Sequence, residues 1–128
     1  MPHYELKPLD MANILTTLVD RQSCKYNDRA AVYRRNQLGQ WLPLSWAELA
    51  AQVSDASYAL EILGVKEQQK LAVFSPNDPD IIVTDLAAFA NRAIPVSIYA
   101  TSSEQQVEYI VRDSGASIIF TGNAEQYA

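Results

Sequence analysis

At 128 residues, with 48% hydrophobic and 20% charged side chains, the chain is long enough to bury one core and has the composition of an ordinary soluble globular domain. A net charge of -5 and a pI near 4.7 argue against a nucleic-acid partner, because Arg34-Arg35 is the only adjacent basic pair. The lone Cys24 excludes an internal disulfide and a cysteine-based zinc site.

In chain order, residues 12 to 23 place Ile14, Leu15, Leu18 and Val19 at helical spacing, with Asp10 available as N-cap. Cys24 in this helix is expected to be a small buried hydrophobe rather than a nucleophile. Two β-rich runs, Ala31 to Arg35 and Gln40 to Leu44, flank a turn ending in Gly39 and predict a hairpin. Arg34-Arg35 is expected on its solvated face, and Pro43 marks an edge strand or a strand end.

Ser45-Trp46-Ala47-Glu48 is a capping box, followed by an apolar stripe of Trp46, Leu49, Val53, Ala56, Leu60 and Leu63. Gly64 stands where a left-handed residue would close that helix. Leu71 to Ser75 reads as a short buried strand. In the turn that follows, Asp78 can cap, Pro79 suits the first helical position and Asp80 favours the positive helix end.

Ile81 to Ala90 is apolar almost all round and is expected inside a layered structure. It falls short of the ~20 residues that span a bilayer. Asp85 is expected on that helix's one exposed edge; buried, it would need a Lys or Arg partner. Ile94 to Ser97 forms a second strand, and Thr101 or Ser103 caps the next helix, Ser103 with Gln106 making another capping box. Val107, Ile110 and Val111 form its apolar face, Gly115 its stop, Ala116 to Thr121 a third strand, and Gly122 to Glu125 the start of another helix.

The order from residue 45, helix and strand alternating, predicts an α/β fold with a mostly parallel sheet and crossover helices, three-layer-like, preceded by an N-terminal helix and a β-hairpin. One domain over residues 1–128 is expected, with an arm and helix at 1–29, the hairpin at 30–44 and the α/β core at 45–128.

Candidate chemistry is sparse. Gly39, Gly64, Gly115 and Gly122 fall in no phosphate-cradling pattern, and each is read as a turn or cap residue. His3 has no second histidine or cysteine with which to hold a metal and no placed nucleophile. Asp78 and Asp80 sit at a strand end, where α/β sheets bind ligands, but capping accounts for both. Ser97, Tyr99, Thr101, Ser102 and Ser103 make a hydroxyl-rich strand end that could line a ligand site or serve as cap chemistry.

Several segments, in order, resemble the opening of the adenylate-forming synthetase superfamily. These are Leu44-Ser45-Trp46-Ala47-Glu48-Leu49, Leu63-Gly64-Val65, Leu71 to Asn77, and Ile94-Pro95-Val96-Ser97-Ile98-Tyr99 through Asp113-Ser114-Gly115-Ala116. The stretch from Pro95 to Ser103 is similar to the long-chain acyl subgroup of AMP-forming acyl-CoA synthetases. Two segments depart from the pattern. Glu67-Gln68-Gln69-Lys70 replaces a glycine-bearing approach to the strand, and Asn91-Arg92 replaces a usual glycine, with Asn91 the expected stand-in.

The resemblance implies an N-terminal fragment of a long-chain fatty acid CoA ligase. Its parent would use ATP, magnesium and CoA to activate a fatty acid as acyl-adenylate and pass the acyl group to CoA. The family's phosphate loop and catalytic lysine have no counterpart here, so no catalytic, cofactor-binding or metal residue is assigned and the fragment is expected to be an inactive scaffold. Its implied partner is the remainder of the adenylation domain. Self-association through exposed apolar surface is a further expectation. The start carries no basic segment followed by an apolar one, so a cytoplasmic location is expected, the parent peripheral to a membrane at most. The alternatives are a stand-alone flavodoxin-like binding or signalling module, and a regulatory truncation that acts by associating with other subunits.

Overall fold

The computed structural model describes residues 15–127, so Asp10 and His3 lie outside the described residues. Ten elements follow in order: α1 (Leu15–Tyr26), β1 (Ala30–Arg35), β2 (Trp41–Ser45), α2 (Trp46–Ile62), β3 (Lys70–Phe74), α3 (Pro79–Ala90), β4 (Ile94–Ile98), α4 (Glu104–Ser114), β5 (Ile118–Thr121) and α5 (Ala124–Tyr127). They form an antiparallel hairpin, β1–β2, and a separate parallel sheet of order β4-β3-β5. Leu71 pairs with Pro95 on one side and Ile118 on the other, so β3 is the central strand. Both Pro43 and Pro95 are tolerated because β2 and β4 each have an unpaired side.

Strand alternation assigns the two faces. Leu71 and Val73 point toward α3 and α2 and join Leu60, Ala87 and Ala88, while Ala72, Phe74 and Ile98 pack under Val107, Ile110 and Val111 of α4. A third cluster of Val19, Leu49 and Val83 ties α1 to α2 and α3, with Leu44 and Trp46 packed against it. The expected apolar helix, α3, therefore lies between the sheet and two other helices. The stripe of α2 runs into the core as far as Leu60, but Leu63 is 63% exposed because the helix has ended.

The caps form as the sequence predicts. Ser45 Oγ accepts the Glu48 N–H at 3.2 Å, and Glu48 Oε2 accepts the Ser45 N–H at 2.8 Å. Ser103 and Gln106 repeat the arrangement on α4, and Asp78 Oδ1 accepts the Asp80 N–H at 3.1 Å ahead of Pro79. Gly64 and Gly115 are both left-handed, with φ of 81° and 68°.

At the family-atypical turns the structure corrects the expectation for Asn91. Asn91 has φ -85°, and Arg92 adopts the left-handed conformation at φ 57°. Asn91 instead uses its side-chain amide, donating to Ser57 O at 3.0 Å and Ala87 O at 3.0 Å, which fastens α3 to α2. The second departure is also left-handed: Gln68 has φ 63° and donates its N–H to Arg92 O at 2.9 Å. The two departures meet in space, and Arg92 closes the contact with an ion pair to Glu67 at 2.7 Å.

Three further expectations are corrected. Cys24 is exposed, because α1 buries only Val19 and Cys24 falls outside that contact. Arg34 is not simply solvated: it ion-pairs with Asp80 and lies 3.3 Å from Asp78 Oδ1, latching the hairpin to the start of α3. Asp85 is not on an exposed edge; it is half-buried, and its Oδ1 is shut off from solvent with no hydrogen-bond partner.

Candidate functional site

The parallel sheet favours a ligand at one end. From β3 the chain leaves toward α3 on one face, and from β4 it leaves toward α4 on the other. Loops that part in this way open a crevice at the strands' C-terminal ends, the usual ligand position in open α/β sheets. Here the crevice is a cleft of about 560 Å³ between Ser75-Pro76-Asn77 and the segment Ser97 to Thr101. Of the sequence-predicted hydroxyl cluster, Ser97, Tyr99 and Thr101 line it, whereas Ser103 is spent on capping α4. Its polar groups are hydroxyls and an amide, suited to hydrogen bonding a neutral or anionic group rather than to moving protons.

A second cleft of about 360 Å³ lies on the other side of the same loop, lined by Ser75 to Asp78, Thr84 and Phe120 to Gly122. Asp78 and Asp80 border it, but Asp78 is committed to the α3 cap and both carboxylates face Arg34. Gly122 fixes how closely the two loops approach. A Cβ there would fall 2.1 Å from Ser75 Oγ, so this glycine serves close packing, not the helix start or turn that its sequence position suggests. A third cleft, between α4 and α5, gathers Glu104, Glu108 and Glu125 around Phe74 and Val107.

Two carboxylates are perturbed. Hydrogen bonds from the Ser45 backbone and hydroxyl hold Glu48 below its ordinary pKa. Burial pushes Asp85 upward, with no donor to offset the lost water. Neither sits in a cleft beside a nucleophile. Among the described residues, no three His, Cys, Asp or Glu side chains gather into a possible metal site, and no helix is long and apolar enough to cross a membrane. Sequence reasoning missed Arg34; the i, i+2 pair of acids at the start of α3 and the half-apolar hairpin were the available signals.

Residues 19–128 match the family of AMP-binding enzymes. The chain belongs to that family. Among curated AMP-binding relatives, it is 35% identical over 89 residues to a long-chain-fatty-acid–CoA ligase, FadD15, of Mycobacterium bovis, covering 70% of this chain and 15% of the relative. It is 28% identical over 112 residues to an acetyl-coenzyme A synthetase of Streptomyces avermitilis, covering 87% of this chain and 17% of the relative. The chain thus spans less than a fifth of the length of these relatives.

Solved structures give the same fold. NpsA of Klebsiella oxytoca, in complex with 3-hydroxyanthranilyl-AMSN, superimposes with a TM-score of 0.76 at 19% identity, covering 88% of this chain and 22% of that one. The isolated NpsA N-terminal subdomain, in complex with 3-hydroxybenzoyl-AMSN, gives 0.76 at 19% identity over 87% of this chain and 27% of the subdomain. The described residues therefore share the α/β fold of part of the NpsA N-terminal subdomain.

Proposed function

We propose that the chain is the N-terminal α/β layer of a long-chain fatty acid CoA ligase. The observation that carries this reading is the 35% identity over 89 residues to a long-chain ligase. Acetyl-coenzyme A synthetases match a longer stretch at lower identity and support the broader acyl-CoA ligase reading. The parent reaction is an exchange in two steps. A fatty acid carboxylate oxygen attacks the α-phosphorus of ATP, forming acyl-AMP as pyrophosphate leaves. The sulfur of CoA then attacks the acyl carbonyl, forming the thioester as AMP leaves and the thiol proton passes to solvent.

The described residues contribute framework to this chemistry. No step of this reaction is assigned to a side chain among the described residues. Family membership favours this reading over a free-standing flavodoxin-like module. The test is ATP–pyrophosphate exchange by the protein encoded by the whole reading frame, with palmitate and acetate compared and residues 1–128 assayed in parallel. Exchange dependent on palmitate and on the longer protein is expected. A preference for acetate would replace the long-chain assignment, and exchange by residues 1–128 alone would overturn the scaffold role.

A further inference from the structure

Asp85 is the one described carboxylate whose chemistry is left incomplete by the fold. It lies in the middle of α3, a helix whose other faces are occupied: Val83 meets α1 and α2, and Ala87 and Ala88 meet α2 and β3. Ile82, Asp85 and Phe89 are spaced three and four residues apart and so form one flank of the helix. Neither Ile82, 40% exposed, nor Phe89 joins any of the three core clusters. This flank is apolar, only partly covered, and carries a carboxylate at its centre.

The oxygen Oδ1 is cut off from water and accepts no hydrogen bond. The cations at the two ends of α3 are used elsewhere: Arg34 with Asp78 and Asp80, Arg92 with Glu67. A charge half-desolvated by apolar neighbours and left unpaired destabilises the fold that holds it. Such an arrangement becomes favourable when a cation enters, because the same apolar surroundings strengthen the pair once both partners are in place. The flank adjoins a sheet that is open on the same scale. Among the described residues β4, against which α3 packs, has a partner on one side only.

We infer that Asp85 is the docking point for a Lys or Arg side chain from the remainder of the adenylation domain, seated between Ile82 and Phe89. The inference rests on the family reading above. The chain accounts for 27% of the solved N-terminal subdomain on which it superimposes, so most of that subdomain's chain is available to cover this flank. A cation is specified because a positively charged donor both fills Oδ1 with a strong charge-assisted hydrogen bond and offsets the charge that burial penalises.

The experiment compares Asp85→Asn, which is nearly isosteric, in residues 1–128 and in the protein from the whole reading frame. In residues 1–128 the substitution removes an unpaired charge, and the urea midpoint is expected to rise. In the longer protein it breaks an ion pair, and the midpoint is expected to fall. Opposite signs in the two proteins support the docking pair. A rise in both shows that no cation docks there, and a fall in both shows that Asp85 is already satisfied within residues 1–128; either overturns the inference. ATP–pyrophosphate exchange by the wild-type longer protein is read alongside. If exchange is absent, the proposed acyl-CoA ligase function fails, and a failure of the docking pair alone leaves exchange intact.

Discussion

At the scale of single residues, the tightest constraint is the approach of Gly122 to Ser75. A Cβ on residue 122 would meet Ser75 Oγ at 2.1 Å, Ser75 Cβ at 2.7 Å and Pro76 Cδ at 2.9 Å. The hydroxyl can rotate away, but the β-carbon and the proline ring are fixed by the strand end. Gly122→Ala is therefore expected to destabilise residues 1–128 by roughly 1–3 kcal/mol, the usual cost of forced overpacking. Ser75→Gly removes both serine contacts, and the double variant should recover part of the loss in urea unfolding, a coupling that independent sites would not show. None of this was legible in the sequence. Gly122 follows a strand and precedes a polar helix start, so local pattern suggested a turn, while the reason for the glycine lies 47 positions away. Gln68 and Arg92 were legible only in part: the missing glycines marked the two turns, but Asn91 has the better left-handed propensity and the helix geometry nevertheless placed Arg92 at that position.

At the scale of elements, the sequence was most informative where a local rule is sufficient. Both capping boxes, the Asp78-Pro79 start of α3 and the left-handed Gly64 and Gly115 depend on neighbours within a few residues, and each forms as expected. Burial was less legible because it depends on partners distant in sequence. Cys24 was expected inside and lies outside, and Arg34 was expected in water but latches the hairpin to α3. For the best-specified helix, α2, the cap gives a measurable consequence. Ser45→Ala should cost about 1 kcal/mol at neutral pH. It should also change the acid limb. Glu48 is held below its ordinary pKa by Ser45, so its contribution is present above the unfolded carboxylate value and is lost as pH falls through the folded one. The wild-type chain should therefore lose more stability than Ser45→Ala on going from pH 6 to pH 3, as read by thermal melts across that range. Parallel slopes for the two proteins would show that the Ser45 hydroxyl adds nothing to the hold on Glu48, which the backbone N–H of residue 45 supplies in both.

At the scale of the whole molecule, the decisive feature is a parallel sheet that the described residues do not finish covering. Parallel sheets are stable when helices shield both faces, and edge strands are a liability when long and apolar. The α3 and α2 side is well covered, with Leu71 and Val73 buried, but the α4 side is thinner: α4 buries no residue fully, and Ile119 of β5 remains 44% exposed. Among the described residues β4 and β5 both present an unpaired edge, and Tyr99, just beyond β4, is 86% exposed. Apolar surface of this kind, clustered at the sheet's edges and strand ends, marks an interaction surface more often than a free one. Residues 1–128 alone are accordingly expected to bind an environment-sensitive apolar dye and to sediment with a weight-average mass that rises with concentration. Ile119→Lys places a charge on the least-covered sheet face without touching the buried center of β3, and should lower both signals while leaving the circular dichroism of the helices unchanged. A monomer at every concentration with no dye bound would mean that this face is satisfied within the chain, and the case for a layer completed by other parts of an adenylation domain would lose its physical support.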